Sequence, residues 1–156
     1  MKMRVQEISQ KIKEVAESVL EREGGFVVDI QLRLERKSML VQLFVDTDKG
    51  ITIDTCARVS RELRSVLETQ RMLEETDFRM EVSSPGIDRP LRLLRQYPKN
   101  IGRRFRVQFS TETEPGSFKA VLMAVEGNQL TFQPDGGEPI PLSFDQIIES
   151  QEELPW

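Results

Sequence analysis

The chain has 156 residues, of which 38% are hydrophobic and 31% are charged, and its formal net charge is −4. This composition is typical of a globular protein, and the length suits either one domain or two small ones. There is no histidine and a single cysteine, which excludes triads that use histidine, internal disulfides and zinc sites built from several cysteines. Since no apolar run approaches the roughly 18 residues of a membrane span and the start lacks a signal-peptide pattern, we expect a cytoplasmic protein.

Motifs for enzymatic chemistry are also missing. The sequence contains neither a GxxxxGKS/T phosphate loop nor a GxGxxG turn. The pairs Gly24-Gly25 and Gly136-Gly137 lack the strand-loop-helix context of such loops and are explained by ordinary turns. Carboxylate pairs and lysine bases are chemically possible, but nothing in the sequence marks them. We therefore expect a protein that is not an enzyme and needs neither a cofactor nor a metal ion.

The first elements are predicted to be a helix and a β-hairpin. Apolar residues from Val5 to Val19 recur at steps of three and four, which indicates an amphipathic helix, and Gly24-Gly25 ends it. Residues 28–34 alternate between apolar and polar side chains, as in a strand with one face in water. The apolar run at residues 39–45 is its predicted antiparallel partner.

A second helix and a third strand complete the first half. After a polar turn at residues 46–50, Thr52 or Asp54 can cap a helix whose apolar stripe begins at Cys56. The third strand is predicted at residues 78–82, after a polar linker. The order helix, strand, strand, helix, strand describes an α+β layer in which both helices can cover one face of the sheet.

The second half has the pattern of a small β-barrel. Short strand-like runs are separated by turns at residues 114–116, 127–128 and 134–137. Short strands at such close spacing are typical of small barrels. One turn of helix is predicted at residues 145–148. The predicted strands cover residues 103–109, 118–125, 129–132 and 140–144.

A short joint connects the two halves, and we place the domain boundary there, with domains at residues 1–88 and 89–156. Its two prolines restrict the backbone and should make the connector stiff, while Gly86 permits a turn. Its serines have no base to activate them and are better explained as turn formers than as nucleophiles. Asp88 is expected to pair with Arg89 or to cap the segment that follows. The joint comprises Ser83, Ser84, Pro85, Gly86, Asp88 and Pro90.

Charge is distributed unevenly along the second half. Residues 89–106, which we call the basic segment, contain seven cations and no acid, whereas the residues from 107 onward contain nine acids and only Lys119 as a cation. A solvated charged face would explain such a run. Six of the seven cations are arginines, however, and arginine suits bidentate phosphate contacts. We predict phosphate contacts for Arg89, Arg92, Arg95, Lys99, Arg103, Arg104 and Arg106.

Other residues could extend this phosphate-binding surface. On the second helix, Arg58 and Arg64 each have a glutamate four residues later and are expected to pair with it, whereas Arg61 has none and is added to the phosphate-binding set. Tyr97 and Phe105 lie within the basic segment and could stack on bases, although such aromatic residues are more often part of a core.

The acidic residues beyond the basic segment favour a different kind of partner. Negative charge suits a basic protein, and ribosomal proteins are the most abundant basic proteins of a cytoplasm. We predict that the face contacting such a protein comprises Glu112, Glu114, Glu126 and Glu138.

The joint also carries a resemblance to a known family. Residues 81–91 read EVSSPGIDRPL, and supporting motifs are Val45-Asp46 ahead of residues 50–61 and Ile101-Gly102-Arg103 at the start of the second domain. With these motifs the sequence closely resembles the ribosome maturation factor RimP family, from the first helix to about Ile148. The nine ungapped residues from Ser83 to Leu91 are of mixed types, which makes the signal specific.

The resemblance implies an N-terminal α+β domain with a KH-like arrangement and a C-terminal barrel similar to SH3 or Sm folds. It also implies a role in maturation of the small ribosomal subunit, with the subunit precursor, ribosomal protein S-twelve and nearby rRNA as partners. We expect a monomer. One departure is the acidic end at residues 149–156, where many members carry a basic stretch, so a contact made there elsewhere in the family is not carried over. Trp156 could pack on the barrel or serve as an exposed anchor, and packing is favoured.

Two other classes of function are weighed against this one. A stand-alone regulatory RNA-binding protein would need the GXXG clamp of true KH domains between two helices, which the sequence lacks. An enzyme acting on RNA or a small molecule would need catalytic groups that the sequence does not mark. The leading hypothesis is a non-catalytic assembly factor that binds an immature particle more tightly than the finished subunit and therefore leaves when its work is done.

Overall fold

The computed structural model describes residues 5–36, 38–69, 77–86 and 88–154. The chain divides into two compact units, Met1–Pro85 and Gly86–Trp156, and this division falls within the joint. The domain boundary between residues 88 and 89 stays a prediction. The expectation for Trp156 and most of the predicted polar linker lie outside the described residues.

The first helix, α1 (Val5–Glu21), forms where the apolar spacing predicted it. Ile12, Ala16 and Leu20 recur every four residues, so they lie on one face of the helix, and all three are fully buried. After the helix, Gly24 adopts a φ of 70°, a left-handed conformation that glycine takes without steric strain. The predicted end of the first helix at the glycine pair is confirmed.

The predicted hairpin is formed by β1 (Gly25–Glu35) and β2 (Ser38–Thr47), which pair antiparallel. On β2, Val41, Leu43 and Val45 are fully buried at alternate positions and pack in one core with residues of both helices. On β1, the register shifts between Val27 and Asp29, so the strand contains a bulge that simple alternation does not reveal.

The second helix, α2 (Ile53–Thr69), is capped by Thr52, one of the two predicted candidates. Oγ1 of Thr52 accepts a hydrogen bond of 3.1 Å from the backbone N–H of Thr55. The third strand, β3 (Asp77–Ser83), pairs with β2 in parallel, and a parallel pair requires a crossover, which α2 provides. The sheet order is β1-β2-β3. Neither helix of the described chain is long and apolar enough to cross a lipid bilayer.

The second unit is built on a five-stranded antiparallel sheet with the order β7-β6-β5-β4-β8. Phe105, Leu122 and Phe132 are fully buried at its centre. The edge strands β7 and β8 form no ladder with each other in the described residues, so barrel closure is not observed there. The strands are β4 (Arg104–Ser110), β5 (Pro115–Glu126), β6 (Gln129–Pro134), β7 (Ile140–Ser143) and β8 (Ile147–Glu152).

Two details of this sheet differ from the sequence-based expectation. The turn predicted at residues 114–116 ends two residues earlier, because Pro115 and Gly116 already belong to β5. A Cβ atom on Gly116 would lie 2.7 Å from Cζ of Phe109, so the strand fits the aromatic ring only because this residue has no side chain. The predicted helical turn is a short 3-10 helix at Phe144–Gln146, and the following residues form β8, which was not predicted.

Candidate nucleic-acid interface

Buried polar side chains hold the first part of the basic segment in place. Gln96 is 1% exposed, and its Oε1 accepts hydrogen bonds from the backbone N–H groups of Arg92 (2.7 Å) and Leu93 (2.9 Å). Asn100 is also buried and donates from Nδ2 to the carbonyl oxygen of Gln96 at 2.6 Å. Since these side chains satisfy backbone groups that water would otherwise satisfy, the course of the loop is fixed.

Tyr97 ties the same segment to β8. Its hydroxyl donates a hydrogen bond of 2.8 Å to Oγ of Ser150, and the backbone N–H of Leu91 donates to the carbonyl oxygen of Ser150 at 2.9 Å. Burial raises the pKa of Tyr97. Tyr97 and Phe105 are both fully buried, so they are core residues and not surfaces for base stacking.

Two cations of the basic segment pair with acids from later in the chain. Nη1 of Arg103 lies 3.1 Å from Oε1 of Glu152, and Nη2 of Arg104 lies 3.0 Å from Oδ2 of Asp135. The hydrogen bond and charge of Arg104 lower the pKa of Asp135. Both guanidinium groups remain partly open to water, where ion pairs are weak, so a phosphate can take the place of the carboxylate.

Arg106 is exposed and forms no ion pair with any residue that the structure describes. The strand register places it directly opposite Lys119 of β5 on one side and Gln151 of β8 on the other. Nζ of Lys119 lies 3.6 Å from Oε1 of Glu153. No role was predicted for Lys119, because in the sequence it stands alone among acids. Strand pairing brings it beside the basic segment.

The other four cations of the basic segment precede β4. They lie on the loop and on two short 3-10 helices, Leu94–Gln96 and Pro98–Asn100. The structure therefore divides the cations of the basic segment into a loop group and a group on β4 or directly before it, Arg103, Arg104 and Arg106. The loop group comprises Arg89 and Lys99, which are partly buried, and Arg92 and Arg95, which are exposed.

Two residues of the joint, Ser83 and Ser84, line a pocket of the first unit together with residues of α2 and β3. Gly86 has a φ of 67°, which confirms that a turn-permitting residue is needed there. Asp88 is exposed and, contrary to prediction, pairs with neither Arg89 nor any other described residue. It does not cap the following segment either, because the backbone N–H groups of Arg92 and Leu93 donate their hydrogen bonds to Gln96. Ser83 ends β3, and Ser84, Pro85 and Pro90 lie outside helices and strands.

The predicted ion pairs within α2 are wrong. Arg58 pairs with Glu23 at 3.1 Å instead of with Glu62, and Glu62 pairs with Arg22. The physical reason is that Arg22 and Glu23, which follow α1, lie beside α2 and pair with its charged side chains. The hydrogen bond and charge of Glu23 raise the pKa of Arg58.

The other two arginines of α2 differ from each other. The guanidinium carbon of Arg64 lies 5.4 Å from the ring centroid of Phe78, a cation–π contact in place of the predicted pair with Glu68. Arg61 is exposed and forms no ion pair within the described part of the chain. Arg61 belongs to the first unit, whereas the basic segment belongs to the second.

The four acids predicted to face a basic protein are all exposed, but they do not form one cluster. Glu112 and Glu114 share the turn before β5, whereas Glu126 is the last residue of that strand. Since β5 has 12 residues, the two ends are on the order of 35 Å apart along the strand. Glu138 lies in the turn between β6 and β7. Only Glu112 and Glu114 are brought together.

Comparison with known proteins identifies the family. The family model described as the RimP N-terminal domain matches residues 5–88. The ribosome maturation factor RimP of Christiangramia forsetii is 30% identical over 146 residues, which cover 93% of this chain and 88% of the relative. The ribosome maturation factor RimP of Chlorobium phaeobacteroides is 35% identical over 144 residues, which cover 83% of each chain. The chain belongs to the ribosome maturation factor RimP family.

Proposed function

We propose that this protein is a non-catalytic assembly factor that binds the precursor of the small ribosomal subunit, close to ribosomal protein S-twelve and rRNA. It acts in the cytoplasm, as a monomer and without a cofactor. The observation that carries the proposal is membership of the RimP family, with relatives matched over 83–93% of the chain.

The two units fit the fold types that the family resemblance implies. The first unit, with its order α-β-β-α-β and its sheet β1-β2-β3, is consistent with a KH-like domain. The second unit, with five short antiparallel strands, is consistent with an SH3- or Sm-like barrel. The domain boundary between residues 88 and 89 coincides with the end of the match to the N-terminal family model.

The basic segment supplies the proposed contacts to rRNA phosphates. Exposed arginines support this role, because their guanidinium groups can donate two hydrogen bonds to one phosphate. Arg106 is the strongest candidate, since no described acid neutralises it. Arg103 and Arg104 would exchange Glu152 and Asp135 for phosphate oxygens.

The turn before β5 supplies the proposed contact to a basic protein such as ribosomal protein S-twelve. Glu112 and Glu114 are both exposed there and lie within three residues of each other, so they present two negative charges together. Glu126 and Glu138 lie elsewhere on the sheet, and they would contribute only to a partner that reaches those separate turns.

Differential affinity is the proposed mechanism. A factor that binds an immature arrangement of rRNA and protein more tightly than the mature arrangement shifts the particle towards the state it prefers and dissociates after maturation. Such a mechanism needs binding groups held in fixed positions and no reacting group. Gln96 and Tyr97 provide that rigidity for the basic segment, because they fasten its backbone to the second unit.

The test is depletion of the protein from cells, followed by measurement of unprocessed small-subunit rRNA. We expect the precursor rRNA to accumulate in free small subunits, and a plasmid copy of the wild-type chain to restore processing. Normal rRNA processing after complete depletion would contradict the proposal. Altered amounts of a few messenger RNAs with normal subunits would favour the regulatory RNA-binding alternative.

A further inference from the structure

We propose that Arg106 and Lys119 form a binding site for one backbone phosphate of rRNA on the outward face of the second unit. The inference rests on the proposed function and deepens it, because it adds a residue that the sequence placed among acids.

The strand register brings the two cations together. Arg106 of β4 and Lys119 of β5 are direct partners in an antiparallel ladder, and both are exposed. Directly opposed residues in such a ladder have Cβ atoms about 4.5–5.5 Å apart and point to the same side of the sheet. The neighbouring residues Phe105 and Val107 are fully buried, so Arg106 and Lys119 point to the outward face.

An ion pair within the protein reaches only one of the two charges. Like charges directly opposite each other destabilise a sheet. Glu153 reaches Lys119 at 3.6 Å, and Asp135 is engaged by Arg104 at 3.0 Å, whereas Arg106 has no acid among the described residues. Arg106 is therefore left without an ion pair among the described residues, while the exposed acid Glu149 lies on the same face, opposite the neighbouring Gln108. An anion between Arg106 and Lys119 would turn a repulsive pair into two attractive contacts.

The chemistry of the pair suits a phosphodiester of RNA. Arg106 offers a planar fork for two phosphate oxygens, while the ammonium group of Lys119 adds a point charge. The next partners on the same face, Gln108 and Ser117, are polar and exposed, about 7 Å further along the strands. The amide oxygen of Gln108 and the hydroxyl of Ser117 can accept a hydrogen bond from a ribose 2′-hydroxyl. A free phosphate ion has no such hydroxyl group, so this contact favours RNA.

The test compares single and double variants in the full-length chain. The probe is a fluorescent single-stranded oligoribonucleotide from small-subunit rRNA, and its binding is followed by anisotropy at several salt concentrations. For the double variant Arg106→Gln/Lys119→Gln we expect about tenfold weaker binding at low salt and a slope of log K against log salt that is shallower by about 0.7. Urea unfolding of each variant establishes that it is folded.

The matched control removes the same charge elsewhere. Lys11 and Lys13 are exposed on α1, so Lys11→Gln/Lys13→Gln changes the net charge equally without touching the sheet. An equal loss of affinity in both double variants would overturn the site, because bulk charge alone would explain it. Unchanged binding and slope in the Arg106/Lys119 variant, or no binding of RNA to the wild-type chain, would also overturn it.

A second arm separates RNA from free phosphate. Stabilisation of the wild-type chain by inorganic phosphate, beyond that of chloride at equal ionic strength and without RNA binding, would assign the pair to a free anion and overturn the rRNA inference. None of these outcomes decides the proposed function, which depletion and rRNA processing test separately.

Discussion

The hydroxyl of Tyr97 donates a hydrogen bond of 2.8 Å to Oγ of Ser150, and both residues are fully buried. This bond joins the basic segment to β8. The ring of Tyr97 also packs edge-on against Phe144, with ring centroids 5.9 Å apart. The cations that precede β4 are therefore carried by a backbone that one buried polar pair fastens to the sheet.

We predict that Ser150→Ala destabilises the protein by about 1–3 kcal/mol, because it leaves the buried hydroxyl of Tyr97 without a partner. Tyr97→Phe should cost a similar amount, since it leaves the hydroxyl of Ser150 unpaired. The double variant should cost less than the sum of the two single variants. Urea unfolding measures all three, and purely additive effects would show that the two hydroxyl groups do not interact.

Burial raises the pKa of Tyr97, so the stability of the folded state should depend on pH in the alkaline range. The folded state holds the phenolic proton more tightly than the unfolded state, so stability is retained below the ordinary tyrosine pKa of about 10 and is lost as the pH rises through the folded pKa. Because Tyr97 is the only tyrosine, tyrosinate absorbance reports it directly. Ionisation at the ordinary tyrosine pKa in a chain with intact circular dichroism would contradict this prediction.

Gly116 is predicted to tolerate no side chain. A Cβ atom would lie 2.7 Å from Cζ of Phe109, and overpacking of this kind typically costs about 1–3 kcal/mol, so Gly116→Ala should lower the urea midpoint. Phe109→Leu in the same chain should recover part of the loss, because it removes the ring that the new methyl group meets. Ser117→Ala, at the next exposed position, is the control and should have little effect.

Cys56 is predicted to react slowly with thiol reagents in the folded protein. It is 7% exposed, and burial followed by the charge of Asp46 raises the pKa of its thiol, so the reactive thiolate is scarce at neutral pH. In urea the same cysteine should react at the rate of a free thiol. Labelling of the native chain as fast as that of the unfolded chain would show that α2 does not protect Cys56.

Asp135 is predicted to reduce RNA binding by occupying Arg104. Asp135→Asn should strengthen binding of the oligoribonucleotide severalfold, because it frees the guanidinium group that now lies 3.0 Å from the carboxylate. Asp145→Asn makes the same change in net charge at an exposed acid that pairs with no described residue. Equal gains in both variants would show that only net charge matters.

The helices and the first hairpin could be predicted because the buried residues of each element recur at one regular spacing along the sequence. Ile12, Ala16 and Leu20 on α1, and Val41 and Leu43 on β2, are all fully buried and lie at the expected spacings. The strand β8 could not be predicted in this way, because only Ile147 among its inward positions is apolar and the others carry Ser150 and Glu152. Only their partners on β4 explain why they face inward.

The candidate interface could be predicted in part. The sequence identified the cations of the basic segment but not their neighbours, because pairing depends on strand register. Lys119 stands among acids in the chain and beside Arg106 in the sheet, while Asp135 is distant in the chain and bonded to Arg104. The buried roles of Gln96 and Asn100 were also missed, since polar residues in a loop give no periodic signal.

Sedimentation of cell extract through a sucrose gradient, with the protein detected in every fraction, tests the central claim most directly. We predict that the protein migrates with free small subunits and their precursors, and that this association weakens with increasing salt because phosphate contacts contribute to it. The fractions containing the protein should also contain unprocessed small-subunit rRNA. Equal distribution of the protein between translating ribosomes and the soluble fractions would contradict the account.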